Sequence, residues 1–71
     1  MTRDEADFIS DAAALADTGL FLTMGELHAV LRLLWPRGAG AWLTDEVWHC
    51  LDARRSAAAA RRVQRKSALA A

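Results

Sequence analysis

The sequence predicts an all-α fold, a small three-helix bundle with a long, basic C-terminal helix projecting from the body. Three observations predict it. Apolar residues recur at helical spacing in three separate stretches. Each stretch opens on a threonine with a glutamate close behind. Gly19, Pro36, Gly38 and Gly40 mark the joints between them. A chain of 71 residues makes one domain at most, with a marginal core. Residues 1–53 are expected to form the helical body and residues 54–71 a basic helical extension.

The first helix is expected over about residues 4–16. Thr2 followed three residues later by Glu5 has the form of a capping box. Phe8, Ile9, Ala12, Leu15 and Ala16 fall on one side. Asp4, Asp7 and Asp11 form a separate acidic stripe. Acids in a first turn suit the helix dipole, but Asp11 lies too far along for that reason to apply. Gly19 is the expected left-handed cap.

The second helix is expected over about residues 24–35. Thr23 and Glu26 repeat the capping pattern, and Leu22 and Leu27 occupy the positions of a hydrophobic staple. Leu27, Val30, Leu31 and Leu34 share one face, while Ala29 and Leu33 lie on the other. A short helix apolar nearly all round is expected to be buried, which makes this the central one. Pro36 disfavours helical geometry at Trp35, and residues 37–40 read as a turn.

The third helix is expected from residue 45 onward, with Thr44 as its N-cap and Asp45 and Glu46 in its first turn. Val47, Trp48 and Leu51 define its core face. Continuing at 100° per residue, Arg54, Arg55, Arg61, Arg62, Arg65 and Lys66 fall within an arc of about 140°. That arc is centred close to the core face, so one side of the helix is apolar up to Leu51 and cationic from Arg54. Arginines cannot pack into the body as the apolar residues do, so the helix must overhang it or break near residues 55–56. The alanines at 57–60 argue for continuity, because alanine is the best helix former. Residues 67–71 are expected to fray.

Composition narrows the function. Of the 71 residues 16 are alanine, so the 54% apolar content overstates the core. Net charge is zero, but residues 1–26 carry six acids against Arg3, and residues 27–71 carry eight bases against Asp45, Glu46 and Asp52. The single cysteine, Cys50, fits a reducing compartment and reads as a small buried residue. The acidic N-terminus is not that of a signal peptide, and no apolar run reaches the ~18 residues of a membrane span. The chain reads as soluble and cytoplasmic.

No arrangement of residues suggests an enzyme. His28, His49 and Cys50 fail as a metal set, since adjacent helical residues diverge by about 100° and a fourth ligand is missing. The same geometry rules out a Cys-His nucleophile pair. Gly38, Ala39 and Gly40 lack the ending of a phosphate loop. No metal, cofactor or small-molecule substrate is expected. Trp35, Trp42 and Trp48 are expected mainly in the core, with Trp42 and Arg37 as a possible secondary interface.

A helix-turn-helix reading fails on the long joint between the second and third helices, and on Asp45 and Glu46, which would meet phosphates first. The expected function is therefore that of a small non-enzymatic binding or regulatory protein, such as an adaptor from a bacterium or phage. It docks on a larger partner, foremost a nucleic-acid-handling complex, through Arg54, Arg55, Arg61, Arg62, Arg65 and Lys66. Two alternatives stand beside it. One is direct binding to a DNA or RNA backbone. The other is a structural homodimer or adaptor whose acidic stripe, Asp4, Asp7 and Asp11, pairs with the basic helix.

Overall fold

Three threonines set where the long helices begin. Thr2, Thr23 and Thr44 each accept a hydrogen bond on Oγ1 from the backbone N–H three residues on, at 3.2, 3.2 and 3.3 Å. The computed structural model describes residues 2–70, with side chains as far as Lys66. Within them the helices are α1 (Arg3–Asp17), α2 (Met24–Leu34), α3 (Pro36–Ala41) and α4 (Asp45–Ala70). The fold is all-α. The helix α4 continues through Ala70, past residue 67 where fraying was expected, and Ala71 lies outside the described residues.

The additional helix, α3, replaces the turn expected at residues 37–40. Pro36 accounts for both events at this joint. It forces Trp35 out of helical geometry, to φ −134° and ψ 69°, which ends α2. It then stands at the first position of α3, where a missing N–H costs nothing. Gly38 faces inward here, and a Cβ on it would lie 3.0 Å from the Trp42 ring and 3.1 Å from Phe8.

Contacts at the two ends fix the topology. Phe8 meets Trp42 just before α4, Asp17 meets Arg54 inside it, and Gly19 meets Ala58 further on. Residue numbers rise together on both elements, so α1 and α4 run parallel. The chain returns between them through α2, whose end places Trp35 against Phe8 and Asp11. The core is built from Phe8, Ala12 and Ala16 of α1, Met24, Leu27 and Leu31 of α2, Ala39 of α3 and Leu51 of α4. Phe8 is its centre, fully buried with Trp35 edge-on at 6.0 Å and Trp42 tilted at 5.9 Å.

Several local expectations change. The helix α2 is packed on one side only, since Leu33 is 82% and Leu34 59% exposed. The closest partnership is between α1 and α4, and α2 covers it from one side with Leu27 and Leu31 inward. Of the two residues expected to form a staple, Leu27 is fully buried in the core while Leu22 stays 69% exposed. Cys50, expected to be buried, is exposed. Gly19 has the left-handed conformation expected of it, with φ +71°.

Candidate partner-binding interface

The basic residues of α4 divide into two groups. Arg54 and Arg55 belong to the body. Arg54 donates Nε–H to Asp17 Oδ1 at 3.1 Å and a second bond from Nη2 to Oδ2, a bidentate pair across α1 and α4. The guanidinium holds the Asp17 carboxyl below the usual aspartate range, and Asp17 in turn raises Arg54 further. Both side chains stay about half exposed, so the pair orients more than it stabilises.

Arg55 is more committed. Its side chain is only 13% exposed. It bonds Asp52 through Nε and Nη2, at 3.2 and 2.7 Å, and donates from Nη1 to the Phe21 and Leu22 carbonyls, at 3.3 and 3.0 Å. One planar fork thus clamps the loop between α1 and α2 onto α4. The expectation that arginines could not join the body is corrected for these two. Acceptors at the end of α1 and in the loop meet them where the apolar core gives out.

Arg61, Arg62, Arg65 and Lys66 form the second group. All four are exposed. Among the described residues, no carboxylate lies within ion-pairing distance of any of them. The Asp4, Asp7 and Asp11 stripe is at the other end of the molecule, so it does not pair with them within the chain. Asp11 instead accepts a hydrogen bond from Trp35 Nε1 at 3.0 Å, which gives this mid-helix acid a structural partner. Arg37 and Trp42, with Asp4, Leu34 and Trp35, border a shallow cleft of about 310 Å³ at that end.

Parallel packing of α1 and α4 turns the charge split of the sequence into a charge split in space. The end holding both helix starts carries Asp4, Glu5, Asp7, Asp11, Asp45 and Glu46 against Arg3, Arg32 and Arg37, six acids to three bases. The opposite end carries six bases, all on α4, against Asp17, Glu26 and Asp52. The long axis of the molecule is 46 Å, several screening lengths at physiological salt, so the basic end acts as a local field of its own.

Next to the exposed cations lies an apolar notch that the sequence did not reveal. Leu20 and Leu22 of the loop form its floor, and Ala59, Arg62, Val63 and Lys66 of α4 form its wall. Its volume is about 250 Å³, below the usual range for a small-molecule pocket. Leu20, Leu22 and Val63 are 58%, 69% and 58% exposed. One signal was available in the sequence: Val63 is the lone aliphatic residue in the otherwise polar run of residues 61–66.

Gly19 sets how the notch is built. A Cβ on it would meet the Ala58 carbonyl oxygen at 2.7 Å, so only glycine lets the loop cross α4 so closely. Ala58, 4% exposed, is the last buried residue of α4 among those described. The chain matches no family model, no curated protein and no solved structure.

The remaining candidates offer less. The His28 ring rests edge-on against Trp48 at 5.4 Å, a packing role. Among the described residues, no three His, Cys, Asp or Glu side chains gather where they could share a metal ion. Among the described residues, no helix is long and apolar enough to cross a membrane.

Proposed function

We propose that the chain is a small non-enzymatic binding protein that docks on a larger partner through the projecting basic end of its last helix. The carrying observation is that Arg61, Arg62, Arg65 and Lys66 are exposed and unpaired among the described residues, beside an exposed aliphatic patch. Charge in this position adds nothing to the core. Its use is to steer and orient a partner of opposite sign. Arg54 and Arg55 serve as supports that fix the overhang to the body, so the contact set is smaller than the sequence implied.

A nucleic-acid-handling complex remains the first expected partner, and the aliphatic patch favours a protein surface of that complex over its nucleic acid. Direct binding to a phosphate backbone is the second reading. It is favoured by the pairing of Arg61 with Arg65 and of Arg62 with Lys66 at i, i+4 spacing, two cationic rows on one helix. The intrachain pair of Asp17 with Arg54 lies outside the Asp4, Asp7 and Asp11 stripe, so pairing of that stripe with a basic helix would need a second copy.

The test is a variant with Arg61, Arg62, Arg65 and Lys66 all changed to Gln, which leaves every buried contact in place. Capture of partners from host lysate, with and without nuclease, is compared with that of the unaltered chain. Loss of a nuclease-resistant partner supports the proposal, and an unchanged set of partners refutes it. A gel shift at low salt measures the second reading. Four phosphate contacts give a salt slope of about −3.6 on B-DNA, and no shift removes direct binding.

A further inference from the structure

We infer that the notch between the 18–23 loop and α4 receives an acidic amphipathic helix of a partner protein, its apolar ridge on Leu20, Leu22 and Val63 and its carboxylates on Arg62 and Lys66. This rests on the proposed docking role of the basic end and names the chemistry of what docks there.

Shape is the first argument. The loop crosses α4 at Gly19 and Ala58, and α4 continues beyond it. The result is a step with the loop as floor and the overhanging helix as wall. Ala59, Arg62, Val63 and Lys66 stand at i, i+3, i+4 and i+7, so they form one face about two turns long. Ala59 is small, which deepens the inner end of the step. A concave strip of this length suits the ridge of a helix, which offers anchors at the same spacing. A flat bilayer surface does not fill it.

Chemistry is the second argument. Among the described residues, the lining contains three exposed aliphatic side chains, two cations and no acid. The nearby carboxylates are already engaged, Glu26 with the Leu22 N–H at 3.4 Å and Asp17 with Arg54. Arg61 and Arg65 extend the positive field on the adjoining side. Phosphate backbone satisfies the cations but leaves the aliphatic floor in water, and no aromatic residue lines the notch for a base to stack on. A helix carrying both leucine-like and glutamate residues satisfies both sets at once.

Pre-organisation is the third argument. Arg55 holds the Phe21 and Leu22 carbonyls, which fixes the floor before any partner arrives. Binding then orders few groups on this side of the interface.

The experiment uses the full chain, isotope-labelled, and a designed helical peptide of about 18 residues with a Leu ridge flanked by Glu. Saturable amide shifts are expected at residues 19–22 and 59–66. Leu22→Asp should weaken binding about tenfold or more, and Arg62→Glu with Lys66→Glu should abolish it. A peptide with Lys in place of Glu should bind that double variant and not the unaltered chain. All of these positions are exposed, and circular dichroism verifies that each variant is folded.

No shifts at about 1 mM peptide overturn the inference, as does an affinity unchanged by Leu22→Asp. Stronger binding of a short RNA or DNA duplex, insensitive to Leu22→Asp, assigns the site to nucleic acid and also overturns it. So does preferential binding to phosphatidylserine vesicles. If lysate capture is lost in the four-glutamine variant but intact in Leu22→Asp, the basic end remains the docking surface and the helix-binding notch is refuted.

Discussion

Gly19→Ala is the substitution that probes the construction most directly, because two independent costs fall on one methyl group. The first is conformational. At φ +71° an alanine is strained by roughly 1–2 kcal/mol. The second is steric. The new Cβ would stand 2.7 Å from the Ala58 carbonyl oxygen and 3.0 Å from its carbon, both main-chain atoms that cannot swing aside. Relieving that contact means moving α4 off the loop, an overpacking cost of roughly 1–3 kcal/mol. The sum is about 2–5 kcal/mol, against a total stability of roughly 4–10 kcal/mol for a domain this size. The melting temperature should fall by about 10–30 °C. Thermal and urea unfolding followed by far-UV circular dichroism measure it. Gly19→Asn separates the two costs, since asparagine tolerates the left-handed region but carries the same Cβ. It should recover no more than about 1 kcal/mol of the loss. Gly40→Ala is the control. It lies in α3 with nothing within 4 Å of its added Cβ, and should gain roughly 0.4–1 kcal/mol. A Gly19→Ala variant within about 0.5 kcal/mol of the unaltered chain, or full restoration by Asn, would refute the close-approach argument.

Arg55→Ala should cost about 1–3 kcal/mol and speed amide exchange in the 18–23 loop, because two carbonyls and Asp52 lose one shared donor. Arg55→Lys should not restore the slow exchange, since an ammonium lacks the planar fork, and equal protection in that variant would contradict the clamp. The Asp17 carboxyl should titrate below the ordinary aspartate value and return toward it in Arg54→Gln, observed by carbon-detected NMR. Its folded value is depressed, so its contribution to stability is present above the unfolded value of about 3.9 and is lost as pH falls through the folded value. An Asp17 titration unmoved by Arg54→Gln would show that the pair does not form in solution. Phe8→Ala should remove roughly 3–5 kcal/mol and leave little folded protein, with collapse of amide dispersion as the readout.

The helix starts were legible because each depends on side chains next to it in sequence. Thr2, Thr23 and Thr44 announce their helices through bonds spanning three residues, and Gly19 announces its left-handed turn. What stayed hidden depends on where the chain meets itself. Pro36 read as the end of a helix and the start of a turn, yet a proline at a first helical position serves equally well to begin one. The α2 residues Leu33 and Leu34 read as core because periodicity reports hydrophobicity and not the number of neighbours available. The alanines at 57–60 read as helix formers alone, although Ala58 also lets Gly19 approach. Arg54 and Arg55 looked the same as Arg61 and Arg62 in the sequence. Only the position of Asp17 and of the loop carbonyls separates supports from free cations.

That separation explains why so short a chain commits 26 residues to one helix. Packing alone would end α4 near Ala58, since no later residue among those described is buried. Continuing it adds no core, so the overhang must be helical on its own terms. Alanine propensity supplies part of this. The same parallel arrangement of α1 and α4 that gathers the acidic first turns at one end puts this overhang at the other. Had α4 run antiparallel to α1, its cations would lie beside Asp4 and Asp7 and neutralise them within the chain. Topology, more than the amount of charge, is what keeps the basic end apart from the acidic first turns.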